Sequence, residues 1–165
     1  MENNKNTADQ TRQAFLEAFC LLYSKKPVER ITVQEVAKKA GYNRSTFYQY
    51  FLDIYDLLDE LEEMMAEYIC KNRGNIDIYG ASFVSSLVDL YDTKSIYVNA
   101  LLGDYGKQHF IDKLMSKAGL NIPELDLPDD NRFKPYLIEY HLSAVISIFQ
   151  LWLHRGKDLS VDELM

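Results

Sequence analysis

The sequence predicts an all-α protein: a three-helix module at the N-terminus, joined through a long fourth helix to a second helical region. Three observations carry this. Apolar residues recur at helical spacing through most of the chain, capping residues mark where those segments start, and no segment alternates with the period of two that a half-buried strand shows. At 165 residues, 47% apolar and 26% charged, the composition is that of a globular protein. Disorder is expected only in the polar opening MENNKNTADQ.

The elements follow in order. Thr11 to Tyr23 places Phe15, Ala18, Phe19 and Leu22 on one face, and Pro27 ends that helix. In ITVQEV, Thr32 is a good N-cap, Glu35 closes a capping box, and Ile31 with Val36 supplies a hydrophobic staple. That helix runs to Ala40, and Gly41 can take the left-handed conformation that stops it. Asn43 caps a third helix ending near Phe51, with Tyr42 and Phe47 as its staple. Asp53 caps a fourth, with Asp56 in the box position and Leu52 against Leu57. The stripe of this helix is Leu57, Leu58, Leu61, Met64, Met65 and Tyr68, and the acidic run DELEE, Asp59 to Glu63, is expected mostly on its solvated side.

Softer signals follow: helices over about 78–91, 95–102 and 107–118, then a loop NIPELDLPDD broken by two prolines. A long apolar helix runs from about Phe133 to His154 and is ended by Gly156. Ser160 to Glu163 reads as one more capping box.

Bulk properties exclude several classes. Cys20 and Cys70 lie in apolar periodic segments and read as buried free thiols. No secretory pattern opens the chain, and the uncharged run Leu142 to Leu153 is too short to cross a bilayer, so a cytoplasmic protein is expected. His109, His141 and His154 show no metal-ligand spacing, and there is neither a phosphate-binding glycine loop nor a nucleophile motif. Neither catalysis, a metal nor a cofactor is therefore expected.

Charge is unevenly spread. Residues 1–50 hold eight Lys and Arg against five Asp and Glu, +3, whereas residues 51–165 hold ten against twenty, -10. A solvated acidic surface accounts for such a split, and so does a small cationic module that approaches a polyanion.

The segment AGYNRSTFYQYF, Ala40 to Phe51, favours the polyanion. Two short helices around Gly41-Tyr42-Asn43 have the dimensions of a helix-turn-helix. On a helical wheel Phe47 and Phe51 point inward together, Ser45 and Gln49 point the opposite way with Thr46 beside them, and Tyr48 and Tyr50 lie on the flanks. Arg44 reaches forward from the first turn. Such a helix can present polar groups to base edges in the major groove, Arg44 to guanine and Gln49 to adenine, while tyrosine hydroxyls reach phosphates. Exposed amides at the starts of the two helices add partial positive charge. A tyrosine taken singly reads equally as a cap on a small core; the set as a whole reads as a DNA surface.

The stretch ITVQEVAKKAGYNRSTFYQYFLDIYDLL, within Thr11 to Leu61, resembles the N-terminal DNA-binding domain of the TetR/AcrR family of transcriptional regulators. The resemblance implies base-reading positions at Gln34, Arg44, Ser45, Thr46 and Gln49, and phosphate-contacting positions at Thr32, Tyr48 and Tyr50. It divides the chain into a reading domain, 1–52, and an effector-sensing and dimerising domain, 53–165. Two positions depart from the family pattern: Asn43 stands where a serine is usual, and Ile54 where a phosphate-gripping lysine is usual. A shallower salt dependence is expected from the second.

The closing segment, YHLSAVISIFQLWLHRGKDLSVDEL, resembles the C-terminal region of one subset of the family. Leu142, Val145, Ile146, Phe149, Trp152 and Leu153 make an apolar stripe that serves either as internal core or as the interface of a homodimer, which a two-fold DNA site calls for. Phe83, Leu87, Tyr91, Tyr97, Leu101, Phe110, Leu114 and Tyr140 are the candidate lining of a pocket for a small apolar or amphipathic effector, and equally a solid core. By the resemblance, the protein is expected to be a repressor of a palindromic operator, released when an effector moves the fourth helix. The alternative is a helical regulator whose C-terminal half binds a protein co-regulator.

Overall fold

A computed structural model describes residues 2–71, 81–118 and 132–164, and every regular element among them is helical. The first helix, α1 (Glu2–Tyr23), starts inside the opening that was expected to be disordered. Extending a nucleated helix costs little per residue, and the Thr11 hydroxyl donates back to the Thr7 carbonyl (2.9 Å). Phe15, Leu16, Phe19 and Tyr23 bury one face of it.

A 3-10 turn (Val28–Arg30) leads to α2 (Val33–Ala40), α3 (Arg44–Phe47) and α4 (Ile54–Lys71). The body adds α5 (Ala81–Leu101), α6 (Lys107–Ala118), α7 (Lys134–His154) and a last turn, α8 (Val161–Leu164). α1 packs on α2 and on α5, α4 lies against α5 and α6, and α5 also meets α7 and α8. One hydrophobic cluster runs from Phe15 through Leu61 and Leu101 to Trp152.

Several expectations change. The segments 78–91 and 95–102 are one helix, α5, bent where Lys94 leaves helical geometry (φ -139°, ψ 37°). The Lys94 ammonium stands over the rings of Tyr68 (5.3 Å) and Tyr97 (5.6 Å), which ties the bend to α4. The start of that segment, 78–80, and the proline loop, 121–130, lie outside the described residues. Leu52 is 81% exposed and so forms no staple with Leu57. Its amide instead donates to Asp56 (2.8 Å), while Asp53 accepts from the amides of Tyr55 and Asp56 (2.8 and 2.9 Å). Burial pushes the Cys20 thiol far above its ordinary range, in keeping with an inert buried thiol; the side chain of Cys70 lies outside the described residues.

The DELEE run is only partly a solvated face. Glu60 pairs with Arg12 of α1, Asp59 and Glu63 pair with Lys113 of α6, and Glu62 is buried beside His109. α7 has the expected reach, but its apolar stretch is longer than the run Leu142 to Leu153. Pro135–His154 is long and apolar enough, by length and composition, to cross a bilayer. Leu142, Ile146, Phe149 and Trp152 on one side of it are instead built into the protein core.

Candidate nucleic-acid interface

The N-terminal module is shaped by local hydrogen bonds. The Thr32 hydroxyl accepts from the Glu35 amide (3.2 Å), and the Glu35 carboxylate accepts from the Thr32 amide (3.0 Å) and hydroxyl (2.9 Å). The Lys26 ammonium, 2.6 Å away, then the Thr32 donors, hold the Glu35 carboxyl below its ordinary range. Gly41 ends α2 in the left-handed region (φ 81°), where the Tyr42 amide closes onto the Ala37 carbonyl (2.9 Å). Asn43 Oδ1 accepts from the Thr46 amide (2.8 Å) and hydroxyl (3.1 Å), so a side-chain cap opens α3.

α3 is shorter than the predicted Asn43-to-Phe51 helix. From Thr46 onward the chain tightens: the Gln49 amide donates to Thr46 (3.1 Å) and the Tyr50 amide to Phe47 (2.9 Å), three residues back in each case. A run of aromatic residues with poor helix propensity suits this tighter turn. Phe47 and Phe51 are buried, with ring centroids 5.4 Å apart, and Phe15 meets both edge-on.

With these rings turned inward, the polar groups face out. Thr32, Gln34, Arg44, Ser45 and Gln49 are exposed, and Tyr48 is 50% exposed. The Arg44 guanidinium lies along the Tyr48 ring (6.0 Å), with Nη2 3.4 Å from its hydroxyl, so the cation is held forward over an aromatic support. Tyr50 is half-buried against Phe15 (6.0 Å). Thr46 is half-buried and its hydroxyl is committed to Asn43, which sets it apart from the outward group. The amides of Glu35 and Thr46, expected to add positive potential, are occupied by their caps.

Gln34, Lys38, Tyr42, Asn43 and Arg44 line one open groove between α2 and α3. Lys38 was not singled out from the sequence, although the +3 balance of the first fifty residues pointed to a cation on this face. Ile54, at the place of the family's usual lysine, is buried. Asp53 and Asp56 open α4 beside it.

The candidate effector residues are not brought together as one lining. Leu87, Leu101, Phe110 and Leu114 surround an apolar cavity of about 20 Å³, shared with Met65, Leu142 and Ile146. That is room for about one water, against roughly 300–1,000 Å³ for usual ligand sites. Tyr91 instead lines a separate open cleft of about 270 Å³ with Asn99, Asp104 and His154. The buried Tyr97 accepts a hydrogen bond from Gln13 of α1, Tyr140 is 68% exposed, and the Phe83 side chain lies outside the described residues. Burial raises the Tyr97 phenol to about 12.

Of the six candidate dimer residues, Leu142, Ile146, Phe149 and Trp152 are buried within the protomer, and Val145 and Leu153 are half-buried beside them. The opposite side of α7 carries the exposed apolar groups Tyr136, Tyr140, Ile148 and Leu151.

Comparison with known proteins agrees with this geometry. Residues 15–61 match the family described as bacterial regulatory proteins, tetR family. Over 80 residues the chain is 34% identical to the HTH-type transcriptional regulator AcrR of Shigella flexneri, covering 48% of this chain and 35% of that protein. The chain thus spans about a third of the length of this curated relative. The solved structure of the dihydroxyacetone kinase operon activator DhaS matches with a TM-score of 0.50 at 23% identity, covering 93% of this chain and 89% of that one. That likeness is one of fold.

Proposed function

We propose that this chain, whose N-terminal domain belongs to the TetR family, is a sequence-specific DNA-binding transcriptional regulator that acts in the cytoplasm as a homodimer. One observation carries the reading. A helix-turn-helix buries Phe47 and Phe51 on one side and holds Arg44, Ser45, Gln49 and Gln34 exposed on the other. Arg44 and Gln49 have the donor patterns that read guanine and adenine, while Tyr48, Thr32 and Lys38 serve as phosphate contacts. Tyr50 and Thr46 are second in line, being half-buried. The reading domain ends near residue 52, and α4 carries it on the helical body.

Two copies are needed to read two half-sites about one helical turn apart. The exposed stripe Tyr136, Tyr140, Ile148 and Leu151 supports placing the partner on that side of α7, since the predicted stripe already fills the protomer core. The regulator is a repressor released by a small effector, which enters by widening the apolar cavity around Leu101 and Phe110. Release is a population shift in which the effector binds the non-reading arrangement more tightly.

Selection of bound duplexes from random DNA by the purified chain tests the proposal. Enrichment of a two-fold symmetric site, with half-sites about 10 base pairs apart, is the expected result. No enriched sequence would overturn the reading. A reporter driven from the selected site then decides the sign of regulation: activation by the chain would overturn the repressor part alone.

A further inference from the structure

α4 is fastened to its neighbours within one short acidic run. Glu60 pairs with Arg12 of α1, and Asp59 and Glu63 pair with Lys113 of α6. These pairs are partly or well exposed, where an ion pair contributes about 0.2–1 kcal/mol and is screened by salt. Glu62 is different. Its side chain is 0% exposed, Oε1 lies 2.7 Å from His109 Nδ1 of α6, and Oε2 has no hydrogen-bond partner.

A buried carboxylate is unfavourable unless a proton or a cation offsets its charge. The titratable groups around it are Tyr23 from α1, Asp59 from its own helix, and His109 and Lys113 from α6. Tyr23 is committed to the Tyr105 carbonyl (3.1 Å), and Lys113 to Asp59 and Glu63. His109 is the neighbour through which the buried carboxylate meets water, because its side chain is 64% exposed. α4 begins at Ile54, shortly after the reading segment that ends at Phe51, and Ile54 and Leu57 share one buried cluster with Phe47 and Phe51, which gives α4 a route to α3.

We infer that Glu62 is a positioning residue of the DNA reader: a proton held between its buried carboxylate and His109 keeps α4 seated on α6, and loss of that proton unseats it. The inference rests on the DNA-binding reading. Burial raises the Glu62 carboxyl above its ordinary range, and the His109 contact opposes that rise. A carboxyl raised in the folded state favours folding while protonated. Its contribution is therefore complete below the ordinary value of 4.5 and is lost as pH rises through the higher folded value.

The experiment uses the full chain and a duplex selected by the wild type, with affinity measured from the ordinary carboxyl value of 4.5 up to about pH 8, so that the raised Glu62 carboxyl loses its proton within the range. Wild-type affinity is expected to fall at least about fivefold as pH rises, the low end of ordinary coupling. Glu62→Gln keeps the shape and can still accept from His109, and it should flatten the profile; His109→Gln should flatten it too. Melting curves over the same range should show the wild type losing stability relative to Glu62→Gln as pH rises. A Glu62→Gln chain that binds DNA with the wild-type pH profile overturns the inference. If the wild type binds no duplex, the DNA reading has failed instead. The melting curves then stand alone, and parallel pH profiles for the two chains overturn the Glu62–His109 link.

Discussion

The reading module and the helical body behind it are held by different kinds of interaction. In the module, rigid rings meet at fixed angles: Phe15 lies edge-on to Phe47 (5.4 Å, 83°) and to Phe51 (6.1 Å, 88°), and three side-chain caps fix where α2, α3 and α4 begin. The body is packed mainly by aliphatic side chains such as Leu87, Val98, Leu101 and Ile111, and is cross-linked at a distance. Gln13 joins Tyr97, Gln150 joins the Leu102 carbonyl, and Lys157 joins Asp92 (3.0 Å). Stiff rings and local caps give the module one shape, which suits a surface whose side chains must meet base edges in register. Aliphatic packing, with a bend at Lys94, leaves the body a means of shifting without losing its core.

Substitutions break this contrast in graded steps. Phe47→Ala removes a fully buried ring from the centre of the aromatic cluster and should cost about 3–5 kcal/mol in chemical denaturation. A loss below that range would mean that the rings are not the module's main support. Gly41→Ala comes next. Space for a Cβ is open, with nothing within 4 Å, so the cost is conformational and should be about 1–2 kcal/mol. Thr32→Ala removes a cap from α2 and should cost about 1 kcal/mol by the same measurement.

The smallest effect is electrostatic. Glu35 lies below its ordinary value of 4.5, so its contribution is present above that pH and is lost as pH falls through the lower folded value. Glu35→Gln should therefore flatten the acid limb of the melting profile. An unchanged limb would mean that the Lys26 pair and the Thr32 donors do not favour the Glu35 carboxylate.

The contrast also explains what could be read in advance. Thr32, Glu35, Gly41 and Asn43 act within four residues of their own positions, and each does in the structure what its residue type dictates. The inward turn of Phe47 and Phe51 followed from spacing alone. Glu62 was misplaced because its partner, His109, is far away in sequence, and an acidic run by itself looks solvated. Sequence left the stripe Leu142 to Leu153 open as internal core or dimer interface for a related reason. Both sides of α7 are apolar, and it is tertiary packing, with Leu142 beside Met65, Leu101 and Phe110 and Phe149 against Tyr91, that distinguishes core from surface. Thr46 was read as outward because wheel geometry does not register a hydroxyl drawn to its own cap.

Binding of Arg44→Ala to the selected site and to each of its single-base variants is the most direct test of the claim that α3 reads bases. The account predicts a loss of about 1–3 kcal/mol on the best site, with discrimination relaxed at one base position. A loss equal on every sequence would make Arg44 a phosphate contact, and an unchanged affinity would remove this face of α3 from the DNA altogether.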